Sequence, residues 1–403
     1  MVHVAVLGYG TVGSGVVEVI EKNKDMVNKK SGQELNVKYI LDLRDFPGDP
    51  YEDKIVHDFE KIVSDDEVVI VCETMGGVGA AYQFTKAALE RGKSVCTSNK
   101  ELVAKHGPEL IQIAHAHNCN YLFEASVGGG IPIIRPLNYS LTAERIEAIN
   151  GILNGTTNYI LTKMEQDGAD FETVLKEAQD KGYAERNPEA DVEGHDACRK
   201  IAILSSLMTG MNVDSEKIYT EGITKITADD FVYAKAAGKS IKLVARSKAL
   251  GEDEVIAMVA PFMIDKDHPL AMVNGVFNAV FVTGNMLGDS MYYGRGAGKL
   301  PTASAVVSDV VDCARHLGKI IMCFWEEKDV KIADVSGLEH GYFVRVAASA
   351  RAEAEAAFAG CEVLTVPGRT EDVALFTKPM KEKDFAAQCD KLGSSVCSRI
   401  RLY

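Results

Sequence analysis

A short stretch in the middle of the chain carries charged residues at a spacing that suits proton transfer. The segment NPEADVEGHDACRKIAIL runs from Asn187 to Leu204 and contains Asp191, Asp196 and Lys200. Asp196 and Lys200 are four residues apart, so they share one helix face, and the apolar residues that follow place the lysine at the rim of a core. Nearby carboxylates would keep a buried lysine charged, and a positioned ammonium can protonate a carbonyl oxygen during hydride transfer. An exposed ion pair is the alternative.

A glycine-rich turn near the start of the chain is the second chemical signal. The apolar run from Val2 to Leu7 is typical of a strand covered on both faces. The motif G-x-G-x-x-G follows it and opens a helical pattern. The three glycines permit a tight turn, the approach of a pyrophosphate and close helix–strand packing, and the helix N-terminus favours phosphate. The cofactor-binding residues predicted at this turn are Gly8, Gly10, Thr11, Val12 and Gly13.

Strands and helices alternate after the turn, which predicts an α/β fold with a Rossmann-type, doubly wound parallel sheet. Ligands of such sheets bind beyond the carboxyl ends of the strands. Thr74, Ser98 and Lys100 lie at predicted strand ends, so we expect them to face the cofactor.

The residues after the second strand leave the choice of cofactor open. Asp42 would bind the adenosine ribose hydroxyls and favour NAD. Arg44, two residues later, would pair with a 2′-phosphate and favour NADP. A solvated loop is the alternative for both charges.

The composition argues against several classes of partner. The formal net charge is -14, which disfavours nucleic acid and anionic membranes, and no apolar run reaches ~18 residues. The start, MVHVAVLGYG, is predicted to be a strand rather than a signal peptide. Nine cysteines without a C-x-x-C pair indicate reduced thiols and a cytoplasmic protein.

Two other kinds of catalytic site are less well supported. Cys198 lies beside the lysine, but it has no activating neighbourhood for a thioester-forming dehydrogenase. His115 and His117 would point apart on a helix, which disfavours a metal site. A non-catalytic sensor of reduced nicotinamide would not need the aspartates and the lysine.

Several motifs together resemble the homoserine dehydrogenase family, in its form without a fused kinase. They are GYGTVG, TSNKELVA, FEASVGGGIPII, GILNGTTNYIL and DVEGHDACRK. The resemblance runs from residue 1 to about residue 340. It implies NAD- or NADP-dependent, reversible reduction of L-aspartate 4-semialdehyde to L-homoserine in threonine, methionine and isoleucine synthesis. It also implies a dinucleotide-binding domain at 1–137, with a helix at 302–318 packing back on it, and a substrate-binding and dimerisation domain at 138–320.

The resemblance assigns roles to individual residues. Lys200 is the expected proton donor and Lys100 the alternative, while Asp191 and Asp196 surround the lysine and the substrate amine. Glu185 and Gly182 would line the homoserine pocket, and Gly294 and Gly296 would touch the cofactor. Family members also carry a structural sodium ion and form homodimers or homotetramers. From the residues alone, the three glycines after Glu124 predict either an oxygen-lined cation site or a plain loop; the family pattern places sodium on Glu124, Val127, Gly129 and Ile131.

The last part of the chain has a different pattern. Residues 341–403 read as βαββαβ, a ferredoxin-like order that is similar to the ACT regulatory domain. The first strand–helix loop, AASARAEAE, lacks the usual Asp-x-Pro-Gly-like element. We therefore expect an oligomerisation or vestigial role for this domain rather than threonine feedback.

Overall fold

The computed structural model describes residues 1–403, which divide into two compact units. The first unit comprises Met1–Ile146, Ala202–Ser215 and Gly284–Val330. The second unit comprises Glu147–Ile201, Glu216–Thr283 and Lys331–Tyr403. No helix has the length and apolar character that a membrane span requires.

The first 123 residues alternate between strands and helices. In chain order the elements are β1 (Val2–Leu7), α1 (Thr11–Lys22), α2 (Lys24–Ser31), β2 (Leu35–Leu41), β3 (Ile55–Val56), α3 (Glu60–Val63), β4 (Val68–Glu73), α4 (Gly79–Glu90), β5 (Ser94–Thr97), α5 (Lys100–Ala116) and β6 (Tyr121–Leu122).

The six strands form one parallel sheet in the order β3-β2-β1-β4-β5-β6. Four of the six residues of β1 are fully buried apolar side chains, as expected of a strand covered by helices on both faces. The reversal of strand order beside β1 brings the ends of β1 and β4 together, which is where such sheets bind ligands. The predicted doubly wound parallel sheet is confirmed.

The middle of the chain contains longer strands. Its elements are β7 (Ile146–Ile152), α6 (Gly155–Asp167), α7 (Phe171–Asp180), α8 (Glu189–Val192), α9 (His195–Thr209), β8 (Met211–Asn212), β9 (Tyr219–Thr220), α10 (Ala228–Ala236), β10 (Lys239–Ala249), β11 (Glu254–Asp265), β12 (Phe277–Gly284), β13 (Gly288–Arg295) and α11 (Lys299–Arg315).

Helix α11 belongs to the first unit and packs against α1. Gly15 makes this close approach possible, because a Cβ atom at that position would lie 2.9 Å from the Cβ of Ala303. Apolar residues of both helices and of the parallel sheet share one core. A helix far from the first 123 residues in sequence therefore completes the dinucleotide-binding fold.

The final elements are short strands and two helices. They are β14 (Glu326–Asp329), β15 (Lys331–Ile332), β16 (Glu339–His340), β17 (Tyr342–Ala347), α12 (Arg351–Ala357), β18 (Glu362–Leu364), β19 (Asp372–Phe376), β20 (Met380–Lys381), α13 (Glu382–Leu392) and β21 (Val396–Leu402).

One mixed sheet runs through the second unit in the order β12-β7-β10-β11-β21-β17-β19-β18. The tail contributes the four strands at one end of this sheet, β21, β17, β19 and β18. Strand β21 joins them to the rest of the sheet by pairing in parallel with β11, where Phe262 lies opposite Arg401. Residues 331–403 belong to the second unit. Within residues 341–403 the elements follow the predicted βαββαβ order with one additional short strand, β20, before α13. The assignment to an ACT-like domain stays a prediction.

Candidate active site

Lys200 lies on α9 with its ammonium group held by two oxygen atoms. Its Nζ donates to the Asp196 carboxylate over 2.8 Å and to the Leu153 carbonyl over 2.8 Å. Lys200 is 9% exposed and Asp196 is 4% exposed, so the pair is not the solvated surface pair that the spacing also allowed. Burial with a fixed carboxylate keeps the ammonium oriented.

Asn154 connects this pair to the second aspartate of the cluster. Its side-chain amide donates to Asp191 over 2.7 Å and to Asp196 over 2.8 Å. The sequence predicts a Thr or Asn cap for the helix that follows, and Asn154 is the N-cap of α6. Its contact with the two carboxylates was not predicted, because nothing in the local sequence indicates it.

The electrostatics of the cluster favour a second positive charge. Burial raises the pKa of the Asp191 carboxyl, and the neighbouring Asp196 raises it further. Two carboxylates therefore share one lysine, so an additional ammonium group would relieve their repulsion. The cluster fits the amino group of an amino-acid substrate.

Gly182 and Glu185, which are predicted to line the homoserine pocket, lie in the exposed loop that follows α7. Gly182 has a positive φ of 72° and lets the chain leave the helix. Thr156, in the first turn of α6, donates to the carbonyl of Tyr183 over 2.7 Å and so ties this loop to the end of α6 that carries Asn154. No hydrogen bond joins the Glu185 carboxylate to the lysine cluster.

The glycine turn has the geometry that its motif predicts. Gly8 has a positive φ of 90°, and a Cβ on Gly13 would lie 1.8 Å from the Gly8 carbonyl oxygen. Gly10 has no atom within 4 Å of its Cβ position, and as the N-cap of α1 it provides no side-chain cap. Open space in front of uncapped N–H groups suits a pyrophosphate.

Asp42 and Arg44, the two residues with conflicting cofactor signals, bind each other. The Asp42 carboxylate accepts the Arg44 Nε–H over 2.9 Å and the Tyr9 backbone N–H over 2.8 Å. The Arg44 guanidinium holds the pKa of Asp42 well below its ordinary value, and it also lies over the ring of Phe46. The residue that favours NAD and the residue that favours NADP therefore form one ion pair beside the glycine turn.

A buried glutamate that the sequence analysis missed organises the neighbouring strand ends. Glu73, at the end of β4, accepts the Met75 N–H over 2.8 Å and the Thr97 hydroxyl over 2.6 Å. It is fully buried, and this burial raises its pKa to about 7. Glu73 lies next to Thr74 and joins the loops after β4 and β5.

The other strand-end residues that were predicted to face the cofactor lie on these two loops. The Thr74 hydroxyl donates to the carbonyls of Leu7 and Gly8 and so fastens the loop to the glycine turn. Ser98 is half-buried, and Lys100 is the first residue of α5. The structure thus brings Thr74 to the glycine turn.

The glycines after Glu124 pack against the late glycine loop of the first unit. The Gly130 N–H donates to the carbonyl of Arg295 over 3.1 Å. Gly129, whose φ is 53°, lies so near this loop that its Cβ would be 2.4 Å from the carbonyl oxygen of Gly296. Gly294 lies beside Ile131.

The Glu124 carboxylate is buried and accepts three backbone N–H groups. Two come from Ile133 and Ile134, at 2.6 and 3.0 Å, and one comes from Arg135 at 2.8 Å. The side chain therefore shapes the loop after Gly130. Any cation at this loop would have to be held mainly by backbone carbonyl oxygens.

No group of three or more His, Cys, Asp and Glu side chains has the arrangement of a metal site. Cys198 is buried in α9, and none of the nine cysteines forms a disulfide.

Comparisons with known proteins agree with this geometry. A family model described as homoserine dehydrogenase matches residues 132–311, and one described as its NAD binding domain matches residues 8–124. Homoserine dehydrogenase of Synechocystis sp. is 47% identical over 77% of this chain and 73% of its own length, and that of Bacillus subtilis is 42% identical over 78% and 73%.

Solved structures give the same result. The homoserine dehydrogenase from Thiobacillus denitrificans has a TM-score of 0.91 at 36% identity and covers 100% of this chain and 98% of its own. A hyperthermophilic archaeal homoserine dehydrogenase in complex with NADPH has a TM-score of 0.65 at 29% identity over 77% and 97%. The chain belongs to the homoserine dehydrogenase family.

Proposed function

We propose that Lys200 moves the proton in the reaction of this family. The enzyme is an oxidoreductase of amino-acid biosynthesis that interconverts L-aspartate 4-semialdehyde and L-homoserine with NAD or NADP. When bound, the reduced nicotinamide supplies the hydride. Lys200 gives a proton to the aldehyde oxygen during reduction and accepts it from the homoserine hydroxyl during oxidation. The hydrogen-bonded cluster of Lys200, Asp196, Asn154 and Asp191 carries this proposal.

The same cluster accounts for recognition of an amino acid. Asp191 and Asp196 attract the substrate ammonium, and Glu185 and Gly182 complete the pocket from the loop after α7. Lys100 stands as the alternative proton donor, because it begins the helix after a strand end where the cofactor is expected. Substitution of each lysine in turn distinguishes the two.

The glycine turn fits a dinucleotide, and the Asp42–Arg44 pair offers recognition of either cofactor. The open space at Gly10 and the uncapped start of α1 would hold the pyrophosphate, together with Gly8, Thr11, Val12 and Gly13. The rest of the dinucleotide would contact residues of the strand ends and of the late glycine loop, namely Thr74, Ser98, Gly294 and Gly296. Arg44 would bind the 2′-phosphate of NADP, so Arg44→Ala should weaken the binding of NADP more than the binding of NAD.

A sodium ion fits the loop after Glu124. The Gly128 carbonyl accepts the Ile131 N–H over 2.8 Å, whereas no backbone N–H donates to the carbonyls of Val127, Gly129 and Ile131. Val127 and Ile131 are buried, and buried carbonyls without donors favour a cation. We propose that these carbonyls and Glu124 hold the ion, which would stabilise the loop without joining the reaction.

The assembly and setting of the enzyme follow from the resemblance. We propose a homodimer or homotetramer in the cytoplasm, acting on a small-molecule substrate without nucleic acid or membrane. The tail would serve oligomerisation or be vestigial as a regulator. Micromolar binding of threonine or methionine, measured by titration calorimetry, would contradict the vestigial role.

A steady-state assay with homoserine and each cofactor in turn tests the reaction and the cofactor together. We expect homoserine-dependent formation of reduced nicotinamide with wild-type protein and a large loss of kcat in Lys200→Ala. Full activity in Lys200→Ala with loss in Lys100→Ala would transfer the role to Lys100.

A further inference from the structure

We propose that Asn154 is a positioning residue for catalysis, one that holds Asp191 and Asp196 in place through its side-chain amide. This inference rests on the proposed function of Lys200, because Asn154 acts on the lysine only through the two carboxylates. It assigns a role beyond capping to an asparagine that does not itself transfer a proton.

The hydrogen bonds of Asn154 leave its amide one orientation. Both Nδ2 hydrogens are used, over 2.7 Å to Asp191 and 2.8 Å to Asp196. Its Oδ1 accepts the Thr157 N–H over 2.8 Å and the Thr157 hydroxyl over 3.0 Å. A flipped amide would turn its oxygen towards two carboxylates, so the assignment of O and N is fixed by the network.

The adjacent backbone belongs to the same arrangement. Leu153, the residue before Asn154, accepts the second hydrogen bond of Lys200. One turn of chain between β7 and α6 therefore contacts the lysine through a carbonyl and its aspartates through an amide. A shift of Asn154 would move the ammonium and its counter-ion together.

Capping of α6 does not by itself require asparagine. Ser and Asp cap helices about as well as Asn, and capping by Asn154 uses only its Oδ1 atom. The Nδ2 group is the part that a cap does not need, and it is the part that faces the carboxylates. The choice of Asn over Asp at this position is explained by the carboxylates rather than by the helix.

The donor also controls repulsion within the cluster. The charged groups that act on Asp191 are Asp196, which raises its pKa, and Lys200, which lowers it, and the Asn154 hydrogen bond also lowers it. Without the amide donor, only the Lys200 ammonium and the Thr156 hydroxyl remain to lower the pKa of Asp191 against the neighbouring Asp196 carboxylate. The two carboxylates would then hold their protons at higher pH.

The test compares Asn154→Asp with wild type in homoserine oxidation. Aspartate keeps the cap but replaces the donor with a third carboxylate. We expect kcat to fall at least ~10-fold, the KM for the nicotinamide cofactor to stay within about 2-fold, and the acidic limb of the kcat/KM profile to move to higher pH. The thermal unfolding midpoint should fall, because the variant buries a third carboxylate beside two others, so kcat is measured at a temperature at which circular dichroism shows the variant to be folded.

Two further variants separate positioning from capping. Asp170→Asn makes the reverse exchange at the exposed N-cap of α7, where Asp170 accepts the Thr173 N–H, and should leave kcat and the pH profile unchanged. Asn154→Ser keeps a cap and one hydroxyl donor, so its kcat should lie between those of wild type and Asn154→Asp. If Asn154→Asp does not fold, Asn154→Ser takes its place in the comparison with wild type.

The outcomes distinguish this inference from the proposed function. A folded Asn154→Asp or Asn154→Ser protein with wild-type kcat and pH profile would overturn the positioning role. Wild-type protein that does not oxidise homoserine would overturn the proposed function instead. An equal loss of kcat in Asp170→Asn would show that capping exchanges in general, and not the contact with the carboxylates, cause the effect.

Discussion

Two buried acidic residues, Glu73 and Asp196, illustrate how single side chains are adapted to different tasks. Asp196 accepts a hydrogen bond from the Lys200 ammonium, so its charge is matched by a cation. Glu73 has hydrogen-bond donors but no cation among its described partners, and burial raises its pKa to about 7. Asp196 is thus paired within the lysine cluster, whereas Glu73 joins the loops after β4 and β5 and titrates near neutral pH.

Glu73 should make the stability of the protein depend on pH. The folded state keeps the Glu73 proton up to about pH 7, whereas the unfolded chain loses it near the ordinary value of 4.5. Glu73 therefore contributes stability that is present below pH 4.5 and is lost as the pH rises to about 7. Glu73→Gln cannot ionise, so its thermal unfolding midpoint should decline less between pH 5 and 8. Parallel curves for the two proteins would refute this assignment.

The sequence predicts the residues of the active site better than it predicts their partners. Asp196 and Lys200 are four residues apart, so helix periodicity alone is enough to place them on one face. Asn154 is 42 positions from Asp196, and Leu153 is 47 positions from Lys200. Those contacts depend on how the turn between β7 and α6 lies against α9, and no local pattern encodes that placement.

At the level of secondary-structure elements, the turn between β1 and α1 uses its glycines in two ways. Gly13 lets the helix approach the strand, because any side chain there would collide with the Gly8 carbonyl. A Cβ atom on Gly10 would meet no other atom within 4 Å, so packing does not require a glycine there, and we infer that the open space is kept for the ligand. Both roles follow from the spacing G-x-G-x-x-G, and for this reason the element was predictable from sequence.

Valine substitutions at these two glycines should therefore affect different properties, cofactor affinity at Gly10 and stability at Gly13. Gly10→Val should fold with a near-normal unfolding midpoint but bind NADPH at least ~10-fold more weakly, since its side chain enters the phosphate space. Gly13→Val should lower the midpoint through its clash with Gly8. Fluorescence titration with NADPH and thermal unfolding measure the two effects. Unchanged NADPH affinity in Gly10→Val would place the phosphates elsewhere.

For the molecule as a whole, the tail is built into the second unit. Strand β21 extends the sheet beside β11, and Arg345 on β17 binds Asp230 on α10 over 2.9 Å. Arg345 also binds Asp372 on β19 over 2.7 Å. The strands and helices of the tail were predictable from their alternation, but the pairing of β21 with β11 joins segments more than a hundred residues apart, and only the folded chain determines it.

Removal of Arg345 should destabilise the second unit. The Asp230 side chain is fully buried, and Arg345→Ala would leave it without its cation, at a cost of about 3–5 kcal/mol in free energy of unfolding. Arg351→Ala is the matched control, because its pair with Glu355 is exposed and should contribute at most about 1 kcal/mol. Urea unfolding followed by circular dichroism measures both. Equal stability of the two variants would contradict the integration of the tail.

The most direct test of the account is the turnover number of Lys200→Ala in homoserine oxidation. Loss of a general acid–base group lowers kcat by roughly 10²–10⁴-fold, and we expect a loss in that range with nearly unchanged cofactor binding, together with a lower thermal unfolding midpoint because Asp196 loses its buried cation. A folded Lys200→Ala protein with near wild-type kcat would show that the buried ammonium does not move the proton.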